Sequence, residues 1–137
     1  YKDKTFTPVQ NDVYSFFKIY DAVDFDFRTG DKNYIIESIS GVLFYDDNID
    51  DCYNKMDSIT TDIKNEINYL KHHLKKYYKH SGDKTGKSIF TETRFDLEDG
   101  YMGIICYDYS DKNGNQDHLS VYIDSNVFNK WMRNDVY

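Results

Sequence analysis

In 137 residues the chain has one proline, Pro8, one alanine, Ala22, one tryptophan, Trp131, and two cysteines, Cys52 and Cys106. It has no excess of positive charge and no long apolar run, and each of these scarcities excludes something. With one proline there is no proline-rich linker or recognition segment, and no repeat or low-complexity tract is visible either. No apolar stretch approaches the roughly 20 residues that span a bilayer as a helix. A net charge of -7 is incompatible with the broad basic face that neutralises duplex nucleic acid. Scarce alanine beside abundant Lys, Asn, Asp, Ile and Tyr is what AT-rich coding yields without selection on function. The 14 tyrosines therefore do not by themselves mark a binding surface.

What is present is aromatic and unevenly charged. Aromatics make up 18% of the chain, so large rings must build the core and its rim. The length suits a single domain over residues 1–137. Residues 1–70 hold 14 acidic and 7 basic side chains, whereas residues 71–137 hold 10 of each, which confines the acidic excess to the first half. The chain begins at Tyr1 without methionine, which a mature exported protein and a trimmed segment both explain. An even cysteine pair permits one disulfide, and two buried thiols are the plain alternative.

Periodicity supplies the fold expectation. Ile49, Cys52, Met56, Ile59, Ile63, Ile67, Leu70, Leu74 and Tyr77 recur at steps of three or four, which predicts one amphipathic helix over residues 49–79. Asp46, Asp47, Asn48, Asp50 and Asp51 crowd its expected start, and Lys71, Lys75, Lys76 and Lys79 its expected end, each matching the helix dipole. Ile59 and Ile63 are expected at the centre of the core, with Thr60 and Lys64 off the stripe. Thr7-Pro8 predicts a short helix over about 8–20. Alternation predicts a hairpin from Val23, Phe25 and Phe27 with Tyr34 to Tyr45, and three further strands over 88–97, 101–109 and 117–124. Ser125 caps a last short helix. The expected fold is α+β: an antiparallel sheet of about five strands packed against one long amphipathic helix, with short N- and C-terminal helices.

Candidate chemistry thins out on inspection. Ser81 to Ser88 comes close to the phosphate-binding loop, but its first glycine is displaced and it runs from the expected helix into a strand. Asp46, Asn48, Asp50 and Asp57 sit at calcium-loop spacing, yet Asp51 stands where glycine is needed, and capping explains the same residues. Asp111, Asn113, Asn115 and Asp117 read as turn chemistry. His73 and His80 would lie two helical turns apart and cannot share a metal, and His72 points away from the stripe. Cys106 is expected opposite about Val121, leaving His118 about 10 Å away, beyond reach for nucleophilic activation. Ser38-Ile39-Ser40-Gly41 lacks the first glycine of a nucleophile elbow. Gly100 to Ile105 lacks the basic residue and second aromatic of an RNA-binding strand. Asp24 with Asp26, and Asp96 with Glu98, read as solvent faces of strands.

The expectation is therefore a non-catalytic binding or interaction protein, without cofactor or metal, exported to the periplasm or beyond and held by a Cys52–Cys106 disulfide. The alternatives are an acidic intracellular accessory or inhibitor protein in the cytoplasm, acting on a basic partner, and a small hydrolase needing a cleft and a shifted carboxyl. A helix of 31 residues would overhang so small a domain. Lys71, Leu74, Lys75, Lys76, Tyr77, Tyr78 and Lys79 are accordingly expected to contact an unknown protein, an anionic partner or a second copy of the chain.

Overall fold

The computed structural model describes residues 5–11, 19–45, 48–80, 83–110 and 115–136. Strands β1 Phe6–Asn11, β2 Ala22–Arg28, β3 Ile36–Phe44, β4 His72–Lys79, β5 Ile89–Leu97, β6 Gly100–Asp108 and β7 His118–Ser125 form one antiparallel sheet. Its order is β1-β2-β3-β7-β6-β5-β4. Helix α1 spans Ile49–Glu66, and α2 spans Asn126–Trp131 and runs into a π-helical turn, Met132–Val136. The sheet thus has seven described strands where about five were expected, and the helix has 18 residues, not 31.

The expectation of a helix over 49–79 fails at Glu66. Ile67 N–H still reaches the Ile63 carbonyl, Leu70 N–H closes a turn onto Ile67, and the chain then enters β4. A neighbouring strand decides this. The outer edge of β5 has a row of backbone donors and acceptors, and residues 72–79 satisfy it by pairing from His72↔Phe95 to Lys79↔Ile89. At 18 residues, α1 is about 27 Å long, and the overhang disappears.

The helix expected over 8–20 fails similarly. Phe6–Asn11 is a strand paired to β2 with Pro8 opposite Asp26, and among the described residues no strand pairs with its other side, a placement proline tolerates. Residues 12–18 of that expected helix lie outside the described residues, as do Asp46 and Asp47 of the expected α1 cap. Asn48, at the N-cap position, bonds Asp51 Oδ2 through its amide at 2.7 Å and makes no side-chain cap to the backbone.

Alternation along each strand divides the sheet into two faces. One face packs on α1: Cys52 and Met56 are fully buried against Phe95, Ile104, Cys106 and Leu119. Ile59 and Ile63 flank this cluster half-exposed, so the centre lies one to two turns nearer the helix start than the stripe alone predicts. Cys52 and Cys106 form a disulfide, with Sγ atoms 2.06 Å and Cα atoms 6.0 Å apart. A second cluster of Phe6, Phe128 and Trp131 pins α2 against the start of β1, with ring centroids 4.7–5.5 Å apart. Ser125 Oγ accepts from Phe128 N–H at 3.0 Å and caps α2.

Candidate functional site

The face away from α1 is concave. Pro8 on one edge strand and Tyr78 and Lys79 on the other line the same cavity, so the sheet curls into a trough. Register shifts at Asp26/Phe27 in β2 and between His73 and Lys76 in β4 add local twist. The cavity holds about 700 Å³ and draws lining residues from all seven strands. At one end α2 and the π-helical turn close it with Phe128, Asn129, Met132 and Arg133.

The floor is polar and acidic. Asp24 and Asp26 rise from β2, Ser38 and Ser40 from β3, Ser120, Tyr122 and Asp124 from β7, and Glu92 and Arg94 from β5. Tyr122 lies flat across Gly103, where a Cβ would come within 2.4 Å of its ring, so the glycine gives the tyrosine its seat. From there the Tyr122 hydroxyl donates to Glu92 Oε1. Burial, followed by the charge of Glu92, pushes the tyrosine pKa well up. The carboxylate of Asp124 accepts from Ser38 Oγ at 2.7 Å and from the Asn129 side chain. Burial raises the Asp124 carboxyl, Asp26 and Glu92 raise it further, and these two hydrogen bonds only partly offset the rise, leaving it at about 6 against the usual 3.8. Among the described residues neither Asp124 nor Glu92 has an ion-pair partner. Arg94 stacks its guanidinium 4.3 Å from the Tyr101 ring centroid, and Lys79 and Arg133 are exposed at the rim.

One wall is an aromatic row. Tyr78 stacks on Phe90 at 4.9 Å, Phe90 leans on Tyr107 at 5.8 Å, and Tyr107 stacks on His118 at 4.5 Å. Burial lowers the His118 pKa, so the ring joins this row as a neutral imidazole at neutral pH.

The residues expected to form one partner patch are separated. Lys71 precedes β4 and sits 3.4 Å from Asp96 Oδ2, and Leu74, Lys75, Lys76, Tyr77, Tyr78 and Lys79 lie on β4. Placement of the Leu74 and Lys75 side chains lies outside the described residues. Tyr77 pairs with Thr91 on the α1 side of the sheet, whereas Tyr78 pairs with Phe90 on the trough side, so strand alternation sends the two tyrosines to opposite faces. His73 and His80 stand near opposite ends of β4, and His73 bonds Asp96 at 2.7 Å. Cys106 pairs with Leu119, not Val121, and its neighbour Tyr107 pairs with His118, so the cysteine and histidine point to opposite faces. In the 81–88 connection, Asp83 accepts from Thr85 and Ser88 N–H and from Ser110 Oγ, a carboxylate-centred turn; Ser81 and Gly82 lie outside the described residues.

Sequence reading took Asp24 and Asp26 for a solvent face and gave Glu92 and Asp124 no role. A signal existed. The polar positions of β2, β3 and β7 are mostly short Asp and Ser, not the long Lys and Glu that suit a solvated surface. Among the described residues no group of three His, Cys, Asp or Glu is placed to hold a metal ion, and no helix is long and apolar enough to cross a membrane. Compared with known protein families, curated proteins and solved structures, the chain matches none.

Proposed function

We propose that the chain is a non-catalytic binding module that takes up a small basic ligand in the trough of its curled sheet. One observation carries this reading: a ligand-sized cavity whose floor bears Asp24, Asp26, Glu92 and Asp124 beside an aromatic row, with the floor cation Arg94 stacked over Tyr101, and Lys79 and Arg133 at the rim. Carboxylates supply the charge for an ammonium or guanidinium group, and Phe90, Ile105 and Tyr107 supply an apolar wall for its body. Glu92 and Asp124 are fixed by neutral donors, Glu92 by Tyr122 and Asp124 by Ser38 and Asn129, which keeps them oriented for a cation. Strand β4 enters this reading through Tyr78 and Lys79, which line the trough. The Cys52–Cys106 bond supports a site of action outside the reducing cytoplasm, in the periplasm or beyond the cell.

The test is a charge series on isotope-labelled protein: tyramine, its neutral twin tyrosol and its anionic twin 4-hydroxyphenylacetate. Tyramine is expected to perturb Ser40, Glu92, Tyr107 and Asp124 at lower concentration than either twin. Tightest binding by the anion would sink the basic-ligand reading. A hydrolase is the second reading, favoured by the cleft together with the raised Asp124 carboxyl beside Glu92. Turnover of chromogenic glycosides or esters that disappears in both Asp124→Asn and Glu92→Gln would put it first.

A further inference from the structure

Asp124 is the point where the trough floor meets its end wall. Its carboxylate is held by Ser38 from β3 and Asn129 from α2, and it faces Asp26 on β2 and Glu92 on β5. Arg94 on β5 and Arg133 beyond α2 line the same cavity, Tyr122 stands two residues before it on β7, and Tyr101 is its register partner on β6. Arg94 lies over Tyr101, and neither arginine forms an ion pair with Asp124 among the described residues. Asp124 therefore lines the trough within the field of two other floor carboxylates while it is itself tied only by neutral donors. Building on the basic-ligand reading, we propose that ligand uptake in the trough is coupled to proton release from Asp124, so that a cation on the floor and a proton on Asp124 exclude each other.

The physical basis is competition for one negative charge. Without ligand, Asp26 and Glu92 repel an ionised Asp124 and burial denies it water, which places its titration at about 6. A ligand cation on the floor beside Asp124 reverses the local field and draws Asp124 to the ionised form. Below this range the cation must first displace the proton, and affinity falls by up to about tenfold per pH unit. Above it the carboxylate is already charged, and affinity is flat. The coupling needs no conformational change.

Tyramine stays protonated throughout pH 5 to 7.5 and is the probe. Calorimetry in two buffers of different ionisation enthalpy is expected to find up to one proton released per tyramine near pH 6 and weaker binding on acidification. Tyrosol is expected to bind without pH dependence, and Asp124→Asn to flatten the tyramine profile. A carboxyl-carbon NMR titration of the ligand-free wild-type protein gives a reading that no variant can confound: Asp124 should titrate near 6. An ordinary Asp124 titration near 3.8 would overturn the coupling, as would a slope that survives in Asp124→Asn. Tyramine binding that is present but flat overturns the coupling alone. Absence of any trough perturbation by tyramine or tyrosol overturns the binding reading and the coupling together.

Discussion

Gly103 and Tyr122 are one feature in two residues. The ring occupies the volume that any side chain at 103 would need, and the hydroxyl it positions holds Glu92. Gly103→Ala is expected to lower stability by about 1–3 kcal/mol, since the ring must move off its seat. Equilibrium urea melts measure this, and carboxyl NMR of Glu92 reports whether the hydroxyl still reaches it. At the α1 face the same scale argues for Met56, fully buried against the sheet. Met56→Ala is expected to cost about 2–5 kcal/mol, and Ile63→Ala less, because Ile63 is already half-exposed. Equal losses in urea melts would contradict this assignment of the core's centre. Sequence placed Ile59 and Ile63 on the correct helix face by periodicity. It had no means of knowing that the sheet meets the helix nearer its start, at Cys52.

At the scale of elements, the short helix α2 depends on its cap. Ser125 accepts from Phe128 N–H at 3.0 Å and donates to Glu37 Oε2 at 2.5 Å, tying the helix start to β3. Ser125→Ala is expected to cost about 0.5–2 kcal/mol and to loosen the end wall of the trough. Trp131, packed on Phe6 and Phe128, is the single tryptophan and reads this directly: its emission should shift to the red in the variant. This cap was legible in sequence because a serine and the apolar positions that follow it are local properties. Strand β4 was not legible. His72 to Lys79 continue the helical stripe through Leu74 and Tyr77, and only the unpaired edge of β5 draws them into a strand. Pro8 gave a similar double signal, helix start or edge strand, and β2 decided it.

For the whole molecule, acid and base pull on different carboxyls. Asp124 is raised from 3.8 to about 6 in the folded chain, so the folded state binds the extra proton between these values, and this group's contribution to stability falls as pH rises through that window. The total is at most about 3 kcal/mol, lost by pH 6 and above. Asp83 has the opposite sign: hydrogen bonds from Ser88 and Thr85 hold its pKa down, so its contribution is present above the ordinary carboxyl range and is lost as pH falls below it. Urea melts from pH 3 to 8 are expected to show highest stability on the acid side of neutrality, with the limb from pH 4 to 6 flattened in Asp124→Asn. The disulfide acts on the whole chain as well. It closes a sequence separation of 54 residues, and its removal in a Cys52→Ser, Cys106→Ser variant is expected to lower the unfolding free energy by about 4 kcal/mol. Intact mass after alkylation without reduction, on protein from its natural source, checks that the bond exists there; two alkylated thiols would contradict it.

Local order was in the sequence by itself. The alternations that became β2, β5, β6 and β7, the amphipathic turns from Ile49 to Ile63 and the Ser125 cap all depend on residues within a few positions of one another. Nearest-neighbour chemistry is sufficient for such features. The fates of Pro8 and of His72 to Lys79, the curl that joins both edges of the sheet around one cavity, and the acidic floor were decided only in the tertiary structure. Asp26, Ser38, Glu92, Asp124 and Asn129 come from five elements spread over a hundred positions, and each is unremarkable where it stands in the chain. Their electrostatics arise from separation in space and from lost contact with water, neither of which a one-dimensional pattern encodes.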